Sequence, residues 1–349
     1  MNGNPDSTPA RTVSFRDEFL ESWNKLPNKG MFFALLTVWL LLFQFLGNCS
    51  FGYIATPSLL HWMLNAYWTR DYHSTVPETG WASHVWNLFL GYWDGGMSDD
   101  GHGLLMPVVV LVLLWWKKDQ LLALQLKPWP QALVLLAIAL ALHLVGYLVQ
   151  QQRVSIVALF VGIYALTGIV WGPGWLRRTF FPFVLFAFCV PIAALSQPIT
   201  FPMRILVCKI VVVISSVIGV DVVRNGTALL SPTGNFQYEV AAACSGLRSV
   251  IAIFCISTIY GFVAFQKGWK RALIMLCAFP LAIAGNVVRM MFIVVAAEFG
   301  GQSTGDFVHE NWFFSLLPYV PAIIGVMLLG HWLREREAQP KVALEGKPV

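Results

Sequence analysis

Charge is what this sequence is short of. Asp, Glu, Lys and Arg make up 12% of its 349 residues, about half the share found in a soluble globular protein. That scarcity argues against a chain that faces water on all sides. The net charge is only +5, which fits cytoplasmic Lys and Arg of a membrane protein better than a nucleic-acid surface, so no nucleic-acid partner is expected. The six cysteines are Cys49, Cys189, Cys208, Cys244, Cys255 and Cys277. They contain no CxxC pair, so neither a zinc site nor a redox pair is indicated, and no metal or cofactor is expected. No repeat and no second soluble domain is visible. The first 30 residues are polar, and no A-x-A-like cleavage site follows the first apolar run, so no cleavable signal peptide is expected.

What is there is apolar. Hydrophobic residues make up 57% of the chain, with 15 tryptophans, many near the ends of apolar runs as in an aromatic belt; the mean hydropathy is +0.65. A span needs roughly 20 apolar residues. The pattern predicts spans at about 31–48, 104–116, 131–150, 154–172, 179–198, 243–265, 272–297 and 313–332. A further apolar run, 203–220, carries Arg204 and Lys209, which are unfavourable deep in a bilayer.

Basic residues orient these spans. Lys25 and Lys29 precede the first; Lys117, Lys118 and Lys127 lie in one loop, Arg177 and Arg178 in another, and Lys267, Lys270 and Arg271 in a third; Arg334 and Arg336 follow the last. Eight spans put every set on the cytoplasmic side, whereas nine would force one set outside. So 203–220 is expected to be an interfacial or re-entrant helix on the outer face. The outer segments are 50–102, 199–242 and 298–312. The first is expected to hold a helix around Leu59–Trp68, and the stretch 221–240 a small β-hairpin. The fold class is therefore an all-α polytopic membrane protein of about eight transmembrane helices, with an outer interfacial helix and a small outer β-hairpin. Residues 1–30 form a cytoplasmic N-terminal segment, 31–336 one membrane domain, and 337–349 a cytoplasmic tail.

Three polar features fall at one depth. Ala243-Cys244-Ser245-Gly246-Leu247-Arg248-Ser249 opens a membrane helix at its outer end. Asn286-Val287-Val288-Arg289 lies in the next helix, and Arg289 is 18 residues beyond Arg271, about 27 Å along a helix and so near the outer edge of the bilayer core. His309 stands in the last outer loop, four residues before Phe313. A helix N-terminus, a cation and a histidine each lower a thiol pKa, and Cys244 has access to all three. His309 would take up the thiol proton and return it to a leaving amine, and Arg289 would stabilise an oxyanion. Arg248, one turn below Cys244, is an alternative to Arg289. Asn286 would orient Arg289 or a substrate carbonyl, or else bond between helices; Ser245 adjoins the thiol. Glu298, Asp306 and Glu310 would position His309, pair with Arg289, or remain solvated.

These residues resemble the exosortase/archaeosortase family: the Cys244 run, Asn286-Val287-Val288-Arg289, and then His309 before a final span. Asp100-Gly101-His102-Gly103-Leu104-Leu105-Met106-Pro107 resembles that family's Ser-His-Gly segment, with Gly101 where Ser is usual; His102 is thus a further candidate, with capping of a helix start as its alternative role. The resemblance runs from about Leu59 to Trp332. It implies a membrane-embedded cysteine protease or transpeptidase acting on secreted proteins that end in a short motif (Pro-Glu-Pro in the bacterial case), one hydrophobic helix and a basic cluster. By the resemblance Cys244 is the nucleophile and acyl carrier, Arg289 the transition-state stabiliser and His309 the general acid/base. It further implies a bacterial-type inner membrane, both termini cytoplasmic and an outward-facing site; the acceptor is left open between a lipid component, a polysaccharide component and water, the last making a plain endopeptidase. Three other readings compete. Ser245-Gly246 invites a rhomboid-like intramembrane serine enzyme, but His143 and His331 are poorly placed for its Ser/His dyad. A non-catalytic envelope or polysaccharide assembly factor would work without Cys244. A transporter would show polar mid-bilayer residues and paired broken helices, and the apolar runs here are nearly clean at their centres.

Overall fold

The computed structural model describes residues 14–48, 57–67, 98–192, 195, 197–239, 247–317 and 319–334. It divides into two compact units, Met1–Pro191 and Ile192–Val349.

In the first unit α1 (Phe15–Lys25) leads into α2 (Lys29–Leu46). Trp39 and Phe43 of α2 are buried, while Val38, Leu41 and Phe45 on its other faces are exposed, as a lipid-facing helix requires. The helix expected near residue 59 is α3 (Leu59–Ala66). Ser58 caps it, its Oγ accepting from the His61 N–H at 3.0 Å. After a 3₁₀ turn (Gly101–Leu104) come α4 (Met106–Trp116) and the short α5 (Lys118–Leu122). Then α6 (Leu133–Leu148) and α7 (Gln152–Trp171) form a hairpin, joined by His143 Nδ1 and Ser155 Oγ at 3.1 Å. The indole of Trp39 donates to the Leu159 carbonyl at 3.0 Å, so α2 is fastened to α7 by a hydrogen bond as well as by the cluster around Phe43, Ile156 and Leu159.

The span expected at 179–198 takes a different form. Helix α8 (Pro173–Val184) starts earlier and takes Arg177 and Arg178 into the helix rather than a loop. Gly172, at φ 94°, ends α7, and Pro173 sits at the first helical position, where its fixed φ and missing N–H do no harm. A 3₁₀ segment (Leu185–Cys189) follows, and Val190 turns extended before Pro191, as residues before proline do. Twelve α-helical and five 3₁₀ residues rise about 28 Å together, enough to match α7. The contacts show that they do: Trp171 meets Trp175 at 4.5 Å, Tyr164 meets Phe183 at 5.0 Å, Phe160 stacks on Phe186 at 4.3 Å, and Arg153 Nε donates to the Pro191 carbonyl at 2.5 Å. Pro182, inside α8, offers no N–H to the Arg178 carbonyl; Lys117 Nζ approaches that carbonyl instead, at 3.5 Å.

In the second unit α9 (Gln197–Val217) comes first. It contains the run 203–220 almost entirely, and Thr200–Val217 is long and apolar enough to cross a membrane. The expectation of an interfacial or re-entrant placement therefore rests on charge alone. Among the described residues five helices meet the length and composition of a span, and three shorter ones are also apolar: Gly101–Trp116, Ser249–Ala264 and Tyr319–Trp332. The protein is thus an all-α polytopic membrane protein, with a small three-stranded sheet among the described residues.

That sheet has one strand more than the expected hairpin. Strands β1 (Val223–Asn225), β2 (Ala228–Leu230) and β3 (Gln237–Glu239) form an antiparallel meander in the order β1-β2-β3. The turn at Gly226, φ 62°, joins the first two. Leu229, Phe236 and Tyr238 bury their side chains with Val207, Cys208 and Val211 of α9.

Helices α10 (Leu247–Ala264), α11 (Gly268–Glu310), the short α12 (Trp312–Ser315) and α13 (Tyr319–Trp332) complete the unit. At one end Lys270 Nζ donates to the Leu333 carbonyl and Arg271 Nε to the Phe265 carbonyl, both at 2.7 Å. Helix α11 spans 43 residues, but Gly301, at φ 78° and ψ 176°, breaks it. Such a backbone is open essentially only to glycine. The chain folds back there, so that Gly305 comes against Ala297. The outer loop expected at 298–312 is thus mostly a helical hairpin.

Candidate functional site

The hairpin decides where the candidate residues stand. Arg289 lies on its first limb and His309 on its second. The fold at Gly301 brings them together: Arg289 Nη2 donates to the His309 backbone carbonyl at 3.1 Å. The bond uses the carbonyl, not the ring, so it fixes the position of the imidazole without using either ring nitrogen. The Arg289 Nε is buried and has no hydrogen-bond partner.

The imidazole of His309 rests against Tyr238 of β3, ring centroids 6.3 Å apart and nearly parallel at 28°. The phenol of Tyr238 donates to the Gln302 carbonyl at 3.0 Å, and Gln302 holds the Asp306 carboxylate at 2.9 Å. Burial pushes the Tyr238 phenol well above its ordinary pKa, with Asp306 adding to the effect, so it remains a donor. Residues 302–310 lie past the helix break and beyond the stretch read as a span. There burial first, then Arg289, lowers the pKa of His309, against smaller opposing effects of Glu310 and Asp306. A neutral imidazole near pH 7 is the form that accepts a proton from a thiol.

Gly305 makes this packing possible. A Cβ at that position would stand 2.1 Å from the Tyr238 hydroxyl and 2.8 Å from Ala297 Cβ. Sequence reasoning missed Tyr238, Gln302 and Gly305. The alternation of Phe236 and Tyr238 with polar neighbours and the Gly300-Gly301 pair before Gly305 are the signals that point to them.

The other candidates fall as follows. Cys244 and Ser245 lie outside the described residues; α10 begins at Leu247, so Arg248 falls in its first turn. Asn286 is engaged between helices: its Nδ2 donates to Ser249 Oγ at 3.1 Å, and that hydroxyl faces its Oδ1 at 3.3 Å. Ser249 belongs to the same first turn of α10, so this pair ties the start of α10 to α11 three residues before Arg289. Of the three acids, Asp306 is held by Gln302, while Glu298 has a buried, unpartnered Oε2. His102 belongs to the other unit, in the 3₁₀ turn before α4, with its Nδ1 3.2 Å from the Asp99 carbonyl. Among the described residues no cluster of metal-ligating side chains occurs.

A multi-pass membrane protein whose arginine and histidine meet across a helical hairpin, beside a helix that opens just after a cysteine, defines a narrow class. The comparisons place the chain in it: the family model of the transmembrane exosortases matches residues 92–339, well over half of the chain, and the protein belongs to that family. The match begins later than residue 59, where the resemblance in the sequence starts. Comparisons with curated proteins and with solved structures find no match.

Proposed function

We propose that the protein is a cysteine transpeptidase of the membrane, cutting the C-terminal sorting tail of secreted proteins and passing them to an acceptor. The observation that supports this reading is the 3.1 Å bond from Arg289 to the backbone of His309, made across twenty residues of chain. A guanidinium and an imidazole held at one place are what a thiol nucleophile needs beside it.

In the reaction His309 accepts the Cys244 thiol proton, and the thiolate sulfur attacks the scissile carbonyl carbon. The carbonyl electron pair moves to oxygen, and Arg289 stabilises that oxyanion. Collapse breaks the C–N bond, and His309 gives its proton to the departing amine of the tail. The thioester on Cys244 is then attacked by the acceptor, whose proton passes to His309, and Cys244 is released. A substrate anchored by its own tail helix is confined to the membrane plane, so weak motif contacts suffice. An interfacial site restricts water, which favours transfer over hydrolysis. In this reading the site faces the outer side of an inner membrane, both termini are cytoplasmic, and the acceptor is a lipid or polysaccharide component.

The test is co-expression with a secreted reporter bearing a motif, an apolar helix and a basic cluster. Tail removal by wild type and its loss in Cys244→Ala, at equal membrane levels, is the expected result. Equal processing by the two would refute the nucleophile.

A further inference from the structure

Helix α9 carries a second arginine that the reaction above does not use. Thr200, Val207, Cys208, Val211 and Ser215 are all at most 4% exposed. Their spacing, with 204 included, follows the stripe that a helix presents on one face. Arg204 is the one charge on that stripe and is itself only partly buried. Its Nε is buried without a hydrogen-bond partner, and so is the Thr200 hydroxyl one turn before it. No hydrogen bond or ion pair joins Arg204 to any described residue. Its neighbour Met203 packs against the cluster that includes Val250, in the first turn of α10, and Tyr319. Met203 thus brings this part of α9 to the cluster that α10 joins through Val250.

A guanidinium whose Nε is buried without a partner on an apolar helix favours a counter-anion. A threonine hydroxyl at i and an arginine at i+4 project from the same face, about 6 Å apart. One positive charge and one hydroxyl match a singly charged oxyanion better than a doubly charged one.

We propose that Thr200 and Arg204 of α9 form a binding site for a singly charged oxyanion. The chemistry is that of a carboxylate on the substrate peptide or of a lipid phosphodiester. The site stands on the geometry of α9; its service to the transpeptidase reaction rests on the function proposed above.

The test uses full-length Cys244→Ala protein in dodecyl maltoside, a detergent without phosphate, so that no turnover is needed. The probes are a fluorescent tail peptide with a single glutamate in its motif, the same peptide with glutamine, and phosphatidylglycerol added to the micelles. If the ligand is a carboxylate, the glutamate peptide binds about 10- to 100-fold more tightly than the glutamine peptide. That ratio falls to about one in Arg204→Gln and is partly kept in Arg204→Lys. If the ligand is a phosphodiester, the two peptides bind alike, phosphatidylglycerol raises the unfolding temperature, and Arg204→Gln abolishes the rise. Thr200→Val, a milder change, weakens whichever response is found. The proposal is overturned if neither response occurs in the parent protein, or if the response survives Arg204→Gln. Tail processing by wild type is scored separately, so a failure of the catalytic reading is not mistaken for a failure of this one.

Discussion

Substituting Gly305 by alanine tests the architecture of the hairpin with a single methyl group. The added Cβ would meet the Tyr238 hydroxyl at 2.1 Å, Ala297 Cβ at 2.8 Å and the Tyr238 ring carbon Cζ at 2.9 Å. None of these distances is tolerable, so either Tyr238 or the second limb of the hairpin must move. Overpacking of this kind costs about 1–3 kcal/mol, and loss of the hydrogen bond from Tyr238 to the Gln302 carbonyl adds about 1 kcal/mol. Gly305→Ala is therefore expected to destabilise the protein by roughly 2–4 kcal/mol. Tyr238→Phe alone loses only the hydrogen bond. In the double variant the 2.1 Å conflict is gone, so the two changes are expected to be less than additive, with a coupling of about 1–2 kcal/mol. Thermal unfolding of the four proteins in detergent, followed by tryptophan fluorescence, measures this. Full additivity, or a Gly305→Ala protein as stable as wild type, would refute the packing described.

Three further predictions concern the site and the scaffold. Arg289→Lys keeps the charge but replaces the planar fork, and processing of a tailed reporter is expected to drop at least about 100-fold, as for loss of an oxyanion donor; wild-type rates would contradict it. His309 has a pKa below the ordinary histidine value of 6.5 in the folded protein. Its neutral form therefore persists at pH 7, so the processing rate should be on its plateau there and fall only as the pH drops below about 6.5; a rate already falling between pH 8 and 7 would count against the assignment. The sign for stability is the same: in acid the unfolded chain takes up the proton first, so stability is lost as the pH falls below the unfolded value. Ser155→Ala removes the partner of His143 at 3.1 Å and is expected to destabilise the α6–α7 hairpin by about 0.5–2 kcal/mol, measured by thermal unfolding, while reporter processing at the growth temperature is unchanged.

The membrane class was legible because low charge and long apolar runs admit few other solutions. The broken span was harder. Apolar content marks 179–198 as buried in lipid, but the start of its helix is set by Gly172 and Pro173 and its end by Pro191, and those signals are local. The hairpin at Gly301 left only a glycine pair in the sequence. Its partner surface, the face of β3 carrying Tyr238, is more than sixty residues away, as the hydrogen bond from Tyr238 to Gln302 shows. A contact of that separation leaves no periodicity to read. The same holds for Asn286, for which sequence admitted a catalytic or an interhelical role, and which the structure pairs with Ser249. Arg204 could be read as an argument against a span; only its unpartnered Nε, one turn from the unpartnered Thr200 hydroxyl, gives it a further meaning.

The central claim is that Cys244 carries the substrate as a thioester. The most direct measurement is tandem mass spectrometry of the protein purified under acid quench from cells expressing a tailed reporter. The account predicts a reporter-derived acyl group on the Cys244 peptide, released by neutral hydroxylamine and absent from Arg289→Ala. A reporter that is processed normally while Cys244 remains an unmodified thiol under quench, and that is still processed by Cys244→Ala, would contradict it.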